Sequence, residues 1–477
     1  MKHVYWRLFV GFAALMFVVS TASAAGLSTS GVGARARSMG GAFRAIADDW
    51  SAAYWNPAGL ANLKSSELDF TLLVVNPRPS YSPMLTPDFR GTGFSLKGGG
   101  ERYPEDRLLP FPTFSGFIQL PSVEGLTFGA AIYWTQDANH SWDLFRVPDG
   151  YNNTRALSEV NYRLDLDVWD FHPTVAMELI EDKLSAGVGL AIQRGDLVFR
   201  RLHQFVIPWK DPFGVYPYDR FYGEMQFDGN GVGFGANAGL MLKVSDELTL
   251  GITGQTPVTV KLDGGSELLI IFPNNRGLQN SDTTYAAYYY GGFDYDRKPF
   301  EMDLKLPGSL GFGIAYMPTE QWVLAADIAV NFWSQMDEWK FEFGEGGMEL
   351  NVKDVGTMTE FIMPMAWEDQ FQVSVGAQYQ AQENLILRGG YFYDQSAVPD
   401  KTFRPYLSDY GSRHGLSAGA SLLLEKFEFA GQVNGTFSGM RTIDKLSDLN
   451  EDGQFDNFPG EYKANQFEVL LSTIYRF

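Results

Sequence analysis

A period-two alternation of apolar and polar residues constrains the fold of this chain more than any other feature. Within 370–380 and 427–438, every second residue is apolar, aromatic or glycine, and most residues between them are polar. This spacing predicts β-strands that turn one face to an apolar environment. Short polar turns such as 181–183 and 245–247 alternate with long irregular segments. That rhythm is typical of an outer-membrane barrel, whereas a β-sandwich has loops of mixed length at both ends.

The pattern predicts an all-β fold, a transmembrane antiparallel β-barrel over 65–477. We predict about fourteen strands, and an even number is expected of single-chain bacterial barrels. The predicted strands lie near 66–76, 112–121, 125–136, 159–180, 184–205, 222–244, 248–262, 303–318, 322–344, 368–381, 385–396, 415–425, 427–438 and 466–477. With both termini in the periplasm, long extracellular loops are expected near 77–111, 137–158, 206–221, 263–302, 345–367, 397–414 and 439–465.

The N-terminus has the pattern of a secretory signal peptide, which we predict over 1–24. Lys2 and Arg7 give a positive start, an apolar run of 12 residues follows at 8–19, and 22–24 form an A-x-A cleavage site. This run is shorter than the roughly 17 residues that a membrane-spanning helix needs. Because lipid offers no partners to unpaired backbone groups, we expect the mature chain to cross a membrane as a closed barrel.

The C-terminal residues 467–477 alternate to the end and include Tyr475 and Phe477. A terminal aromatic residue with another aromatic two positions earlier resembles the signal that the outer-membrane assembly machinery recognises. This resemblance implies the barrel assembly machinery as a partner. It also implies the outer membrane of a Gram-negative bacterium as the location.

The segment 25–64, between the signal peptide and the first predicted strand, has a different character. Its part 38–63 is rich in Gly and Ala and lacks the regular apolar spacing of a long amphipathic helix or a strand. Pro57 pushes Asn56 out of the α region, so any helix before it must end there. We therefore predict a compact, turn-rich plug, or hatch, folded inside the barrel. Its glycines would allow the backbone to move.

Three motifs in this segment resemble the N-terminal hatch of the FadL/TodX family of outer-membrane transporters for long-chain fatty acids and aromatic hydrocarbons. They are Gly40-Gly41-Ala42, Ala47-Asp48-Asp49 and Asn56-Pro57-Ala58-Gly59-Leu60. The resemblance implies that the hatch is gated through Gly40, Gly41, Asp48, Asp49, Asn56, Pro57, Ala58 and Gly59.

Later segments extend the resemblance to the family. Residues 306–313 are similar to a mid-chain strand, and 387–399 are similar to the late strand pair with its LRxG and YDxSPVP-like patterns. Ala397 stands where family members often have Pro. The loops 77–111 and 263–302 match no family pattern, so the sequence leaves the substrate open.

The resemblance implies passive uptake of hydrophobic small molecules, either long-chain fatty acids or hydrocarbons, past lipopolysaccharide and into outer-membrane lipid. It also implies that the ligand passes from an outer groove to a site beside the hatch, then leaves sideways where a strand near the third is kinked. Apolar loop stretches at 268–272 and 285–295 either supply a capturing surface or pack on one another. The alternative function is a FadL-like barrel that serves as a binding or shuttle component of a protein secretion system. The late-strand motifs favour transport.

Composition and motifs argue against other functions. The chain has no Cys, which excludes disulfides, Cys-ligated zinc and a Cys nucleophile. Its formal charge of -20 argues against nucleic acid as a partner. A GxSxG pattern at 415–419 lies in an alternating strand, not in the strand–turn–helix context that a hydrolase needs. We therefore expect no enzyme activity and no required cofactor.

One segment in the last predicted extracellular loop resembles a calcium-binding loop. Gly453 stands at the sixth position, where such loops turn sharply, but the twelfth position is Pro459 and not Glu. The sequence is consistent with either a structural calcium site or an acidic solvated loop. The candidate ligands are Asp448, Asn450, Asp452, Gln454 and Asp456.

Overall fold

The computed structural model describes residues 27, 31–84, 102–104, 108–120, 122–123, 125–144, 162–206, 220–271, 293–349, 356–407, 410–451 and 455–477. Among these residues, no helix has the length and apolar character needed to cross a membrane. The predicted signal peptide 1–24 lies outside the described residues.

The described residues are dominated by β-strands. In chain order the strands are β1 (Glu67–Pro83), β2 (Leu109–Gln119), β3 (Thr127–Trp142), β4 (Tyr162–Ile180), β5 (Leu184–Val206), β6 (Arg220–Ser245), β7 (Leu248–Gln255), β8 (Val258–Ile271), β9 (Phe293–Leu306), β10 (Ser309–Thr319), β11 (Trp322–Asn331), β12 (Glu338–Phe343), β13 (Met348–Glu349), β14 (Thr357–Met358), β15 (Glu360–Pro364), β16 (Gln370–Gln382), β17 (Leu385–Asp394), β18 (Arg413–Leu424), β19 (Phe427–Ser438), β20 (Arg441–Ile443) and β21 (Gly460–Arg476).

Fourteen of these strands close into one antiparallel barrel. Each strand pairs with the next around the ring, and β21 closes it against β1 over the whole length of both strands, from Glu67 opposite Arg476 to Pro83 opposite Gly460. The predicted fourteen-stranded all-β barrel is therefore confirmed. Its members are β1 to β7, β10, β11, β16 to β19 and β21.

The barrel wall is apolar on its outer face, as the alternation predicted. Large side chains such as Leu68, Phe70 and Leu471 are 52%, 44% and 61% exposed. Aromatic residues gather at both rims of this face. Near the short turns, Trp322 contacts Tyr379 and Phe427 contacts Tyr475; near the other end, Phe371 contacts Tyr393 and His414 contacts Phe437.

Three predicted strands are each divided into two, and β1, β3 and β21 extend into the predicted loops 77–111, 137–158 and 439–465. Pro257 separates β7 from β8, Pro307 separates β9 from β10, and the residues 332–337 separate β11 from β12. Proline has no N–H to donate to a strand ladder, so the pairing partner can change there. The half of β6 near the short turns pairs with β7, and its far half pairs with β8 from Tyr222 to Val232.

The strands β8, β9, β12 and β15 therefore extend the sheet beyond the loop end of the barrel. We call these four strands the extension. Parts of the predicted loops 263–302 and 345–367 are strands in this extension, which corrects their interpretation as irregular loops. The alternation inside those segments was visible in the sequence, but their charged residues resemble those of exposed loops.

The inner face of the extension packs into a large buried cluster above the barrel, which we call the cap core. Phe227 and Phe341 stack there with ring centroids 4.0 Å apart. Leu268 and Ile270 are fully buried in the cap core, so the described part of the stretch 268–272 packs against other apolar residues. Most of the stretch 285–295 lies outside the described residues.

The segment before β1 lies inside the barrel. Its helix α1 (Ala34–Ser38) contacts β17, β18, β19 and β21. Its helix α2 (Ala52–Trp55) leads into a 3-10 helix (Pro57–Asn62) that contacts β3 to β6 on the opposite wall. Contacts to both sides of the wall, with nearly all residues of 31–63 buried, are consistent with the predicted hatch.

Removing a ring from the cap core should loosen the extension without opening the barrel. Phe341→Ala is expected to cost the extension about 3–5 kcal/mol, the usual range for a buried Phe. Limited proteolysis should then cut within 258–306 faster, while heat-modifiable migration of the barrel on a gel stays unchanged. Glu338→Ala, at an exposed position of the same strand, is the matched control, and equal proteolysis of the two variants would contradict this packing.

Candidate functional site: the hatch and the adjoining cavities

The Asn56–Pro57 turn ties the hatch to itself and to the wall. Asn56 is fully buried and extended, with φ −161° and ψ 99°, as a residue before proline should be. Its side-chain NH₂ donates to the carbonyl of Arg44 at 2.7 Å and to the carbonyl of Leu240 on β6 at 3.2 Å. Its Oδ1 accepts from the N–H of Ala58 at 3.2 Å. One buried amide thus joins three backbone segments.

Glycines in the wall let the backbone and the Asn56 side chain of the hatch approach the wall closely. A Cβ at Gly187 of β5 would lie 2.3 Å from the carbonyl carbon of Pro57, and one at Gly239 of β6 would lie 2.0 Å from Oδ1 of Asn56. Within the hatch, a Cβ at Gly59 would lie 1.6 Å from the carbonyl oxygen of Ala47. Glycine is required at these three positions because no side chain fits.

Gly40 and Gly41 occupy a tight turn after α1. Their φ angles are 66° and 84°, in the left-handed region that glycine adopts without strain. A Cβ at Gly40 would also lie 2.8 Å from the backbone of Tyr391. The structure therefore assigns these glycines a steric role at a close approach. Their part in gating remains a prediction.

Asp48 and Asp49 hold α1 and α2 together. Nη1 of Arg35 lies 2.5 Å from Oδ1 of Asp48 and 3.7 Å from Oδ2 of Asp49. Oδ1 of Asp49 accepts from both the N–H of Ser51, at 2.9 Å, and its hydroxyl, at 2.6 Å. These two predicted residues thus organise the inside of the hatch.

Asp327 on β11 is an anchor for the hatch that sequence analysis missed. Its buried Oδ2 accepts from the N–H groups of Phe43 and Arg44 at 3.0 and 2.9 Å, and from Nη1 of Arg44 at 3.2 Å. The signal was present, because Asp327 is a lone carboxylate in the apolar strand β11. Only the fold shows that it points inward.

A second ion pair holds the other side of the hatch. Arg37 of α1 pairs with Glu468 of β21, and both side chains are almost fully buried. Arg37 also donates to the carbonyl of Gly31 at 2.6 Å, and Glu468 accepts from Asn434 at 2.8 Å. Charge therefore fixes α1 to the last barrel strand.

Two adjoining cavities lie beside the α1 side of the hatch. The larger encloses about 820 Å³, part of it open to solvent, and is lined by apolar residues of β1 and β2 together with Arg78, His140 and Arg413. The smaller encloses about 330 Å³ and reaches Trp134 on β3. The residues shared by both are Arg37, Leu73 and Phe111.

Tyr410 lies in the loop above the larger cavity and helps to line it. Burial raises the pKa of Tyr410 well above its ordinary value, so the hydroxyl stays protonated. That hydroxyl donates to the carbonyl of Pro405. The loop side of the cavity therefore carries no charge from this tyrosine.

The wall is incompletely paired next to the smaller cavity. The described pairing of β2 with β3 runs from Gln119 opposite Thr127 to Phe114 opposite Ile132, while β2 stays paired with β1 as far as Leu109. We call the unpaired part of this boundary the seam. On its other edge, β3 has a bulge between Trp134 and Gln136 in its pairing with β4.

The predicted calcium loop is only partly described, because Asp452 and Gln454 lie outside the described residues. Asp456 already accepts two hydrogen bonds, from Nη2 of Arg404 at 3.2 Å and from the N–H of Leu449 at 2.8 Å. Among the described residues, no group of three His, Cys, Asp or Glu could hold a metal ion. Calcium binding through Asp448, Asn450 and Asp456 therefore stays a prediction.

A closed fourteen-stranded barrel with an apolar outer belt and a plugged lumen defines an outer-membrane β-barrel protein. Residues 14–465 match the family model described as outer membrane protein transport protein (OMPP1/FadL/TodX). The chain belongs to this family. Its description names transport proteins, which confirms the expectation that the chain is not an enzyme.

Individual relatives have low sequence identity to this chain. The long-chain fatty acid transport protein of Escherichia coli O6:H1 is 27% identical over 167 residues, which cover 35% of this chain and 34% of the relative's length. A FadL homologue from Pseudomonas aeruginosa has 17% identity and a TM-score of 0.74, over 95% of this chain and all of that one. The toluene transporter TodX of Pseudomonas putida has 17% identity and a TM-score of 0.68, over 94% and 99%. The structural likeness confirms the fold.

Loss of the Asp327 carboxylate should loosen the hatch. Asp327→Ala leaves Arg44 buried without its partner, which costs roughly 3–5 kcal/mol. Because the chain has no Cys, a thiol introduced by Ala45→Cys reports opening of the hatch by its rate of maleimide labelling. We expect that rate to rise at least on the order of tenfold, the factor that corresponds to about 1.4 kcal/mol of lost local stability.

The matched control is Asp246→Ala in an exposed turn, combined with the same Ala45→Cys substitution. Side-chain exposure of Asp246 is 97%, so its removal should leave labelling unchanged. Equal labelling rates in the Asp327 and Asp246 variants would show that Asp327 does not anchor the hatch.

Proposed function

We propose that the protein takes up hydrophobic small molecules, long-chain fatty acids or hydrocarbons, by passive diffusion across the outer membrane. The hatch gates this route, and the molecule leaves sideways through the seam between β2 and β3. The observation that carries the proposal is the pair of adjoining cavities, which share Leu73 and Phe111 and lie between the loop end of the barrel and the seam. The names of the relatives, a fatty acid transporter and a toluene transporter, support the same class of ligand.

Physical chemistry favours a sideways exit. A hydrophobic molecule gains about 25 cal/mol for each Å² of apolar surface that leaves water. The polar lipopolysaccharide layer holds such a molecule back, although lipid itself accepts it readily. Release into lipid keeps the apolar surface out of water, whereas release into the periplasm would expose it. The hatch closes the direct way down the lumen, so the seam is the more favourable route out of the cavities.

The larger cavity is compatible with both ligand classes. Leu73, Val75 and Phe111 offer an apolar surface that suits a hydrocarbon. Arg78 and Arg413 lie on the same lining and could face a carboxylate, although Arg413 is already paired with Asp394 at 3.0 Å. The lining alone therefore supports transport of hydrophobic molecules as a class.

Disrupting the Asn56–Pro57 turn should abolish uptake without abolishing assembly. Asn56→Ala with Pro57→Ala removes the buried amide that joins three backbone segments and the proline that starts the 3-10 helix. We expect uptake of a radiolabelled fatty acid or alkane to fall to the level of cells without the protein. Heat-modifiable migration should remain, because the wall strands are intact.

Asn62→Ala is the control within the same segment, since its side chain contacts only Sδ of Met241 among the hydrogen bonds described. It should transport normally. Unimpaired uptake in the Asn56/Pro57 double variant would reject the gating role of the hatch.

Growth of a deletion strain distinguishes between transport of fatty acids, transport of hydrocarbons and the alternative function in a secretion system. If the proposal holds, the strain loses growth on long-chain fatty acids, on hydrocarbons, or on both as sole carbon source, and complementation restores it. Normal growth on every such source, together with a stable protein partner that co-purifies with the barrel, would favour the secretion-system function instead.

A further inference from the structure

Trp134 departs from the alternation of its own strand. In β3, Phe128 and Ile132 are 43% and 39% exposed on the outer face, and Ala131 and Tyr133 are buried on the inner face. By this alternation Trp134 belongs to the outer face. Yet Trp134 packs against a buried apolar cluster inside the wall that contains Leu73 of β1 and Ala34 of the hatch. It also lines the smaller cavity.

The indole of Trp134 has one aromatic neighbour on each side of the wall. Its ring meets Phe111, an inward residue of β2, edge to face with centroids 5.1 Å apart. It also lies against Trp169, the residue opposite it on β4, with centroids 3.6 Å apart. Trp169 has the outward parity of its strand. The side chain of Trp134 therefore passes through the wall at the level of the seam.

The bulge in β3 explains this orientation. Thr135 is the extra residue between the paired positions Trp134 and Gln136, and such an insertion turns the neighbouring side chain away from its regular direction. Below the bulge, at Ile132, β3 is still paired with β2. The bulge thus places the indole where pairing with β2 has ended.

We call the position of the indole in this structure its closed position. In this position the N–H edge of the ring makes no hydrogen bond. Nε1 of Trp134 is buried and has no hydrogen-bond partner in the described structure. A buried donor without an acceptor is costly, and most buried polar groups are paired. This position of the ring is therefore held by apolar and aromatic contacts and not by a hydrogen bond of its N–H, so the ring can move when another apolar group takes its place.

We propose that the side chain of Trp134 is the gate of the seam and that it determines the cross-section of the molecule that can leave. This inference rests on the proposed sideways exit. In the closed position the indole fills the space between Phe111 and Trp169. A ligand in the smaller cavity displaces the ring by rotation about its side-chain bonds. Linear alkyl chains and single rings need a smaller displacement than branched or polycyclic molecules, so they pass faster.

The test compares the uptake of a linear and a bulky probe by cells of a deletion strain that produce the full-length barrel, because their lipopolysaccharide layer holds both probes back. The linear probe is a long-chain fatty acid, and the bulky probe is a fatty acid that carries a pyrene group. Trp134→Ala should raise the ratio of bulky to linear transport roughly tenfold, the scale on which altered pocket volume changes selectivity. Trp134→Phe should give an intermediate ratio.

Two further variants make the result specific. Trp169→Ala removes the outer contact and should shift the ratio in the same direction by a smaller factor. Trp322→Ala removes an outer tryptophan of the same kind near the short turns, where it contacts Tyr379, and should leave the ratio unchanged. Heat-modifiable migration on a gel identifies any variant that has not assembled. If Trp134→Ala does not assemble, Trp134→Phe is compared with the wild-type protein instead.

The outcomes for the two proposals are distinguishable. If cells with the wild-type barrel take up neither of these probes, nor an alkane, faster than cells without the protein, the proposed function fails. If the wild-type barrel transports the linear probe but the bulky-to-linear ratio is the same in the wild-type, Trp134 and Trp322 proteins, the gate is rejected while the transporter stands.

Discussion

The whole architecture depends on one requirement, that backbone N–H and C=O groups in lipid must find partners within the protein. The ring of antiparallel strands meets this requirement only because β21 pairs with β1 from Glu67 to Pro83. Closing the ring creates a lumen, and the hatch fills it. At the seam, the described pairing of β2 with β3 ends at Phe114 and Ile132, although both strands continue toward the loop end of the barrel. An aromatic side chain occupies that place, and apolar cavities adjoin it.

The sequence predicted the features that repeat along the chain. The period of two, the parity of the strands and the Asn56–Pro57 turn follow from local rules, and the structure confirms the barrel. The extension was missed because charged residues such as those at 296–305 alternate with apolar ones in a strand that never faces lipid. Asp327 and Trp134 were missed for a different reason. Each is one residue in a regular strand, and its role comes from partners more than 30 positions away or on another strand, which periodicity cannot show.

The hatch contacts one part of the wall at glycines and another part through side chains. On β6, Gly239 makes room for the side chain of Asn56, and on β5 and β7, Gly187 and Gly251 bring wall and hatch backbone together. On β16 and β17, Gly376 and Gly390 do the same around Met39. The described glycines of β2, β3 and β19 have wall atoms or nothing nearest to them, so none of them abuts the hatch. In that sector the hatch meets the wall through side chains, including Arg37 with Glu468 and Tyr54 with Tyr133.

This division has a mechanical consequence, because backbone packed against glycine cannot shift without a steric clash, whereas side chains can rotate and exchange partners. The sector with side-chain contacts also holds unpaired buried polar atoms, at Arg37 and at Gln432 and Asn434 of β19, which water can satisfy if the contacts open. Both cavities and the seam lie in the same sector. The glycine-packed side therefore keeps the hatch in the lumen. If the proposed sideways exit holds, a small movement on the other side would connect the cavities to the seam without removing the hatch from the lumen.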